Sequence, residues 1–321
     1  MHSLTWFYYL IVAGFGLILG SFFNVAIYRL PLQEGLGSRS HCTACGSQIR
    51  WYDNVPLLSF AILRGRCRDC STHISWRYPL VEFSTAALFV ISYPWSTQLV
   101  PSMVTSPSHP VAKGQAFVPE LFIALIAVSI LVIATGTDID HGIIPNVVTY
   151  TGIVMMICLV IGLAIYRRQP WRIGYSFLAA FLLGGLFLAL SLIVGSMVFK
   201  RDGYIDEEDT GPTGLAGESD LEVEDSLIGE EDSGLPPMSG GMGDVKLLFF
   251  LGLAVGYFHW YFAALVLFFS ALFGLLGVLV TRLGPWTERR KIRFAPYVAV
   301  GGLLTLFLGQ QIINLYVKLL S

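Results

Sequence analysis

The chain has 321 residues, of which 55% are hydrophobic and 13% charged. Soluble domains carry about 25% charged residues, so the composition excludes a soluble globular enzyme and predicts an all-α polytopic membrane protein embedded in a lipid bilayer. Thirteen of the 22 acids lie between Asp202 and Asp232 with no Lys or Arg among them, which leaves nine acids against 20 bases elsewhere.

Leu4 to Ala26 is an apolar run of spanning length. No base precedes it and Gly20-Ser21-Phe22-Phe23 is a poor cleavage site, so it reads as a retained first crossing rather than a secretory leader. A basic loop follows from Arg29 to Tyr78. Pro79–Trp95 then leads to a Pro/Ser-rich loop (residues 98–118), Pro119–Gly136 returns, Val147–Tyr166 goes out and Ile173–Phe199 comes back. Val245–Val280 would be about 54 Å long as one helix, too long for a hydrocarbon core of about 30 Å. It must turn, near Gly256-Tyr257-Phe258-His259. Phe294–Val317 completes about eight crossings. With both ends outside, fifteen bases fall inside and five outside, as the positive-inside rule requires. Arg167, Arg168 and Arg172 are the exceptions.

The chain thus divides into a first crossing (1–28), a cytoplasmic four-cysteine loop domain (29–78) and crossings two to five (79–199). A disordered acidic cytoplasmic loop (200–240) and crossings six to eight (241–321) follow.

Gly241-Met242-Gly243-Asp244 closes the acidic segment where the apolar run begins. An ionisable group at such a boundary is expensive and commonly functional. An aspartate opening a helix is also a common N-cap. The glycines permit close approach of another backbone. Asp138 likewise sits at the end of an apolar run, so Asp138 and Asp244 form a candidate dyad at one membrane edge. A helix start favours negative charge and a helix end disfavours it, which would make Asp244 the more acidic member. Cys42-Thr-Ala-Cys45 and Cys67-Arg-Asp-Cys70 have nearly the spacing of a four-thiolate zinc site. Such a clamp suits a segment of about 50 residues too small to bury its own core. Cys158, alone in an apolar run, reads as a small core residue, and His141 as a loop residue. Histidine-based metal motifs, phosphate-binding glycine loops, GxSxG and basic-aromatic surfaces are absent, so no nucleic-acid partner is expected. A zinc-clamped transporter would accommodate the same aspartates, but they share one edge and show no internal repeat.

Further segments carry a family resemblance: Gly20-Ser21-Phe22-Phe23-Asn24-Val25-Ala26-Ile27-Tyr28-Arg29-Leu30-Pro31, Trp51–Ser59, Ile74–Glu82, Asp138 seven residues before Pro145, Gly-Met-Gly-Asp244, and Arg293-Phe294-Ala295-Pro296-Tyr297. Together they resemble the bacterial type IV prepilin peptidases, which are also N-methyltransferases. The resemblance implies an aspartyl endopeptidase of the cytoplasmic (inner) membrane with its site on the cytoplasmic side and Asp138 and Asp244 as catalytic residues. The implied substrates are prepilins or type II secretion pseudopilins, which lose a basic leader and are N-methylated with S-adenosylmethionine as donor. A peptidase without methyltransferase activity is the narrower alternative. Asp140 aligns with a variable position and receives no catalytic role.

The acidic segment is longer than the family's usual connection. It is either a solvated spacer or an attractor for a cationic leader, and salt separates the two, since screening acts over about 8 Å at physiological ionic strength. Deleting residues 202–232 raises KM for leader cleavage at low salt, with kcat nearly unchanged, if attraction operates. An unchanged KM identifies a spacer.

Overall fold

The computed structural model describes residues 5–100, 119–202, 241–283 and 293–320. The acidic segment from 203 to 240 and most of the Pro/Ser-rich loop lie outside them. Nine α-helices occur among these residues: α1 (Thr5–Arg29), the short α2 (Leu58–Ile62), α3 (Arg77–Pro94), α4 (Leu121–His141), α5 (Asn146–Tyr166), α6 (Trp171–Asp202), α7 (Met242–Gly256), α8 (Phe262–Leu283) and α9 (Ala295–Leu320). A π-helical turn, Trp95–Leu99, extends α3. No strand forms among the described residues, only two isolated bridges in the cysteine loop.

Six helices (α1, α4, α5, α6, α8 and α9) are long and apolar enough to cross a membrane. The expected count of about eight is approximate because α3 and α7 differ in kind. Arg77 and Glu82 lie in the first turns of α3. With 15 residues, α7 spans only about 22 Å, and every residue from Phe250 to Gly256 is buried. It is the central core helix, packed against α4, α5, α6, α8 and α9. The chain then turns through Tyr257–Tyr261 into α8, where the long apolar run was expected to fold back.

Apolar burial between helices gives little drive inside a membrane, so close backbone packing has to supply cohesion. Two glycine pairs at helical spacing do this. Gly16 and Gly20 of α1 face α3, where an added Cβ would lie 2.7 Å from the Cα of Ala86 and of Glu82 respectively. Gly252 and Gly256 of α7 face α6, where the Cβ of an alanine at 252 would collide with the backbone of Ala180.

The basic cluster expected outside is largely internal. Glu120, fully buried at the start of α4, accepts both Nε (2.7 Å) and Nη2 (2.8 Å) of Arg167 from the end of α5. Arg172, at the start of α6, donates through Nη1 to the Tyr257 carbonyl at 2.6 Å and through Nε to Gln169. The Tyr257 hydroxyl reaches Glu120 at 3.4 Å. Four helix ends are thereby tied at one end of the bundle, and two of the three exceptional arginines act as bolts. Cys158, expected in the core, is exposed on α5. In a bilayer that position faces lipid, where a thiol is as well accommodated as in a core.

Gly252→Ala destabilises the detergent-solubilised protein by about 1–3 kcal/mol, the usual cost of overpacking. Gly162→Ala, whose added Cβ meets nothing within 4 Å, is neutral or slightly stabilising. Thermal unfolding of the two variants checks this, and equal midpoints would contradict the close α6–α7 crossing.

Candidate active site and metal centre

At the other end of the bundle, the chemistry-bearing residues converge from four helix termini. Asp138 lies in the last turn of α4 and is 7% exposed. Gly142 ends that helix with a left-handed φ of +71°, a conformation available to glycine without strain. Its amide bonds the Asp138 carbonyl at 3.0 Å. The same carbonyl accepts from Nη1 of Arg293 at 2.6 Å, and the Ala295 amide donates to the Asp138 carboxylate at 3.1 Å. That amide is unpaired at the mouth of α9 by helix geometry, and Pro296 next to it brings no further donor.

Asp244 is in the first turn of α7, three residues after the N-cap Gly241, and its carboxylate folds back toward the Gly241 amide. The N-cap position itself therefore belongs to a glycine, while Asp244 occupies the reciprocal place in the turn. Gly243 brings this turn against the α4–α5 connection, where an added Cβ would lie 2.9 Å from that of Ile144. The two carboxylates lie within electrostatic range of each other. Lys246 donates to Asn146 at 2.7 Å and lies over the Tyr150 ring, which ties α7 to the start of α5.

The helix start does not make Asp244 acidic as expected: burial, with the Asp138 charge beside it, pushes its carboxyl up to about 6. The amide of a second helix mouth, α9, points at Asp138, the carboxylate expected to be disfavoured by the end of α4. Sequence reasoning missed this because Asp138 and Ala295 are 157 residues apart. The sequence signal was the Arg-Phe-Ala-Pro segment, a basic residue just ahead of a proline-marked helix start. Asp140, two residues on, pairs with Arg77 at the start of α3. This contact gives Asp140 a structural task and joins the cysteine loop to the dyad's helix.

The cysteine loop is built from two matching turns. Cys42 bonds the Ser47 carbonyl at 2.9 Å and the Gly46 amide returns to Cys42 at 2.8 Å; Cys67 and Thr72, then Ser71 and Cys67, repeat the pattern at 2.8 and 3.0 Å. Gly46 and Ser71 both have positive φ, +72° and +59°. The Cys45 sulfur meets the Ser47 hydroxyl at 3.0 Å and the Cys70 sulfur meets that of Thr72 at 3.2 Å. The four sulfurs all lie within 4.8 Å of one another, and those of Cys42 and Cys70 are 3.8 Å apart. A tetrahedral zinc with bonds of about 2.3 Å would set its sulfurs about 3.8 Å apart. The donor set therefore fits a metal ion. Thiolates are the ligating form: the Ser47 hydroxyl draws the Cys45 thiol down to about 6, and the Cys70 and Asp69 amides lower that of Cys67. Arg68 clasps Asp53 through two bonds of 2.8 and 2.6 Å, holding its carboxyl below the ordinary range. Arg29, buried at the end of α1, grips the Ser38 carbonyl at 2.8 Å.

With this geometry in place, comparison with known proteins is decisive. Residues 15–95 match the bacterial peptidase A24 N-terminal domain, and residues 125–279 match the type IV leader peptidase family. A prepilin leader peptidase/N-methyltransferase of Aeromonas hydrophila is 30% identical over 98% of this chain and 96% of its own length. The chain belongs to the type IV leader peptidase family. A Bacillus subtilis relative of the same name is 29% identical over 95% of this chain and 96% of its own. A Myxococcus xanthus relative reaches 36% over 58% of this chain and 49% of its own length. No solved structure matches. The chain is accordingly an enzyme of a protease family whose full-length relatives are named for two activities.

Protein purified without chelator holds about one zinc per chain, and Cys42→Ser combined with Cys45→Ser loses it. Methyl transfer falls further than leader cleavage, because the cysteine loop lies apart from both aspartates in sequence. Metal analysis finding no zinc would remove the clamp, and equal loss of both activities would show that the loop supports the whole fold.

Proposed function

We propose that the enzyme is a membrane aspartyl endopeptidase that removes the basic leader of type IV prepilins or type II secretion pseudopilins, and then N-methylates the residue exposed. The observation that carries this reading is the meeting of Asp138 and Asp244 at one edge of the bundle. Hydrolysis of a peptide bond by water needs a base to take a proton from the water and an acid to protonate the leaving nitrogen. Two adjacent carboxylates sharing one proton provide both, and they titrate as a unit. Gly241, where an added Cβ would meet no neighbouring helix within 4 Å, leaves room for an extended substrate backbone beside the pair.

The dyad's end of the bundle faces the cytoplasm in this reading. Arg29, Arg77, Lys246 and Arg293 all lie there, as the charge rule expects of a cytoplasmic face, and a basic leader held inside by that same rule would arrive there. The relatives' methyltransferase name supports use of a methyl donor; S-adenosylmethionine would supply an electrophilic methyl group on a sulfonium. The Cys42, Cys45, Cys67 and Cys70 set holds zinc in a structural role.

Asp138→Asn and Asp244→Asn each reduce leader cleavage by at least 10³-fold at equal membrane abundance, because neither carboxylate alone supplies acid and base. Asp140→Asn retains cleavage within a few-fold and loses some stability through Arg77. Intact-mass analysis of a co-expressed prepilin reads the outcome. Near-normal cleavage by either of the first two variants would remove that residue from the dyad.

A further inference from the structure

We propose that the cavity between the cysteine turns and the facing ends of α1 and α3 is the methyl-donor site, with Glu82 as counter-ion for a cationic group of S-adenosylmethionine. This rests on the methyltransferase reading above. The cavity has a volume of about 360 Å³ and is lined by Asn24, Tyr28, Asp53, Phe60, Tyr78 and Glu82 among others. That volume falls in the range of small-molecule sites, which combine apolar and aromatic walls with a few convergent polar groups. A second hollow of about 820 Å³ opens beside it and shares Ser21, Val25 and Arg50.

Two buried polar groups line the cavity, one with an unpartnered oxygen and one with no cation beside it among the described residues. Asn24 is 1% exposed. Its amide nitrogen donates to the Tyr78 carbonyl at 3.0 Å, which fixes the side chain's orientation and leaves Oδ1 without a donor. Buried polar atoms in this condition are rare and costly. Glu82 is 8% exposed, accepts the Leu57 amide at 2.8 Å and is also hydrogen-bonded to the Ser21 side chain. No Lys or Arg among the described residues forms an ion pair with it. A buried carboxylate without a cation is unfavourable, so the cavity is complementary to a ligand that brings positive charge and an N–H donor. Leu57, which also lines the cavity, is held by that bond at φ +58°, a conformation non-glycine residues rarely adopt.

The donor carries both a sulfonium and an ammonium, and its adenine suits the aromatic wall. In the transfer, the lone pair of the new terminal amine forms the N–C bond while the S–C bond breaks toward sulfur. The sulfonium becomes a neutral thioether, and the amine releases one proton to water. Position favours the same assignment. Tyr78 of the cavity adjoins Arg77, which pairs with Asp140, two residues from Asp138. An amine released at the dyad is therefore generated beside the cavity.

The test uses full-length, zinc-loaded protein in detergent and tritiated S-adenosylmethionine. Glu82→Gln keeps the shape and the acceptor for Leu57 but removes the charge. It weakens donor binding at least tenfold and raises the donor KM, while the same sample still removes the leader. In the wild type, donor slows amide exchange in residues 51–60 and 74–82. Donor binding changed less than twofold in Glu82→Gln, with protection elsewhere in an enzyme that still methylates, overturns the cavity and leaves the methyltransferase reading standing. A wild type that binds no donor and transfers no methyl overturns both. Should Glu82→Gln fail to retain zinc and fold, the wild-type exchange map decides alone.

Discussion

Everything at the proposed catalytic edge depends on how Asp138 is held. Its carbonyl takes the Gly142 amide and the Arg293 guanidinium, and its carboxylate takes the Ala295 amide. The first of these bonds ends α4, and the other two dock α9 onto that end. A carboxylate near a helix C-terminus is in an unfavourable field by itself. Here the free amide of another helix opposes that field, so the fold supplies locally what the carrying helix lacks. Asp244 then needs only to be brought within range, and Gly243 does this by letting α7 settle against Ile144.

Such convergence requires rigid helices that cross at small distances, because a drift of about 1 Å in a catalytic pair is expensive. The glycine pairs of α1 and α7 set two crossings by backbone contact rather than by adaptable side chains. The opposite end is bolted by Glu120, Arg167, Arg172 and Tyr257, so α4, α5, α6 and α7 are tied far from the dyad as well as near it. Burial on all sides lets α7, too short to span a bilayer alone, carry Asp244 as the central element.

Much of this was legible in the chain. Apolar runs gave the order of the helices and the turn at Tyr257 because length against bilayer thickness leaves few options. Cysteine spacing predicted a cluster because CxxC pairs close into tight turns by local geometry, here with Gly46 and Ser71 in matching conformations. The four-thiolate set and the two aspartates were visible as residues out of place in an apolar sequence. What escaped was pairing across long separations. Nothing local ties Glu120 to Arg167, Arg77 to Asp140, or the Ala295 amide to Asp138, and each charged side chain alone reads as a surface or loop charge. The crossing number is approximate because composition shows an apolar segment but not whether lipid or protein surrounds it, as with α7. Cys158 was misplaced for the same reason.

The central claim is that two coupled carboxylates divide acid and base work at one edge of the bundle. The pH dependence of kcat/KM for leader cleavage, measured with purified enzyme and a full-length prepilin, addresses it most directly. A shared-proton dyad predicts a bell-shaped profile, since activity requires one carboxylate ionised and its partner protonated. A profile with a single limb, flat on the other side across the enzyme's stable range, would contradict the dyad.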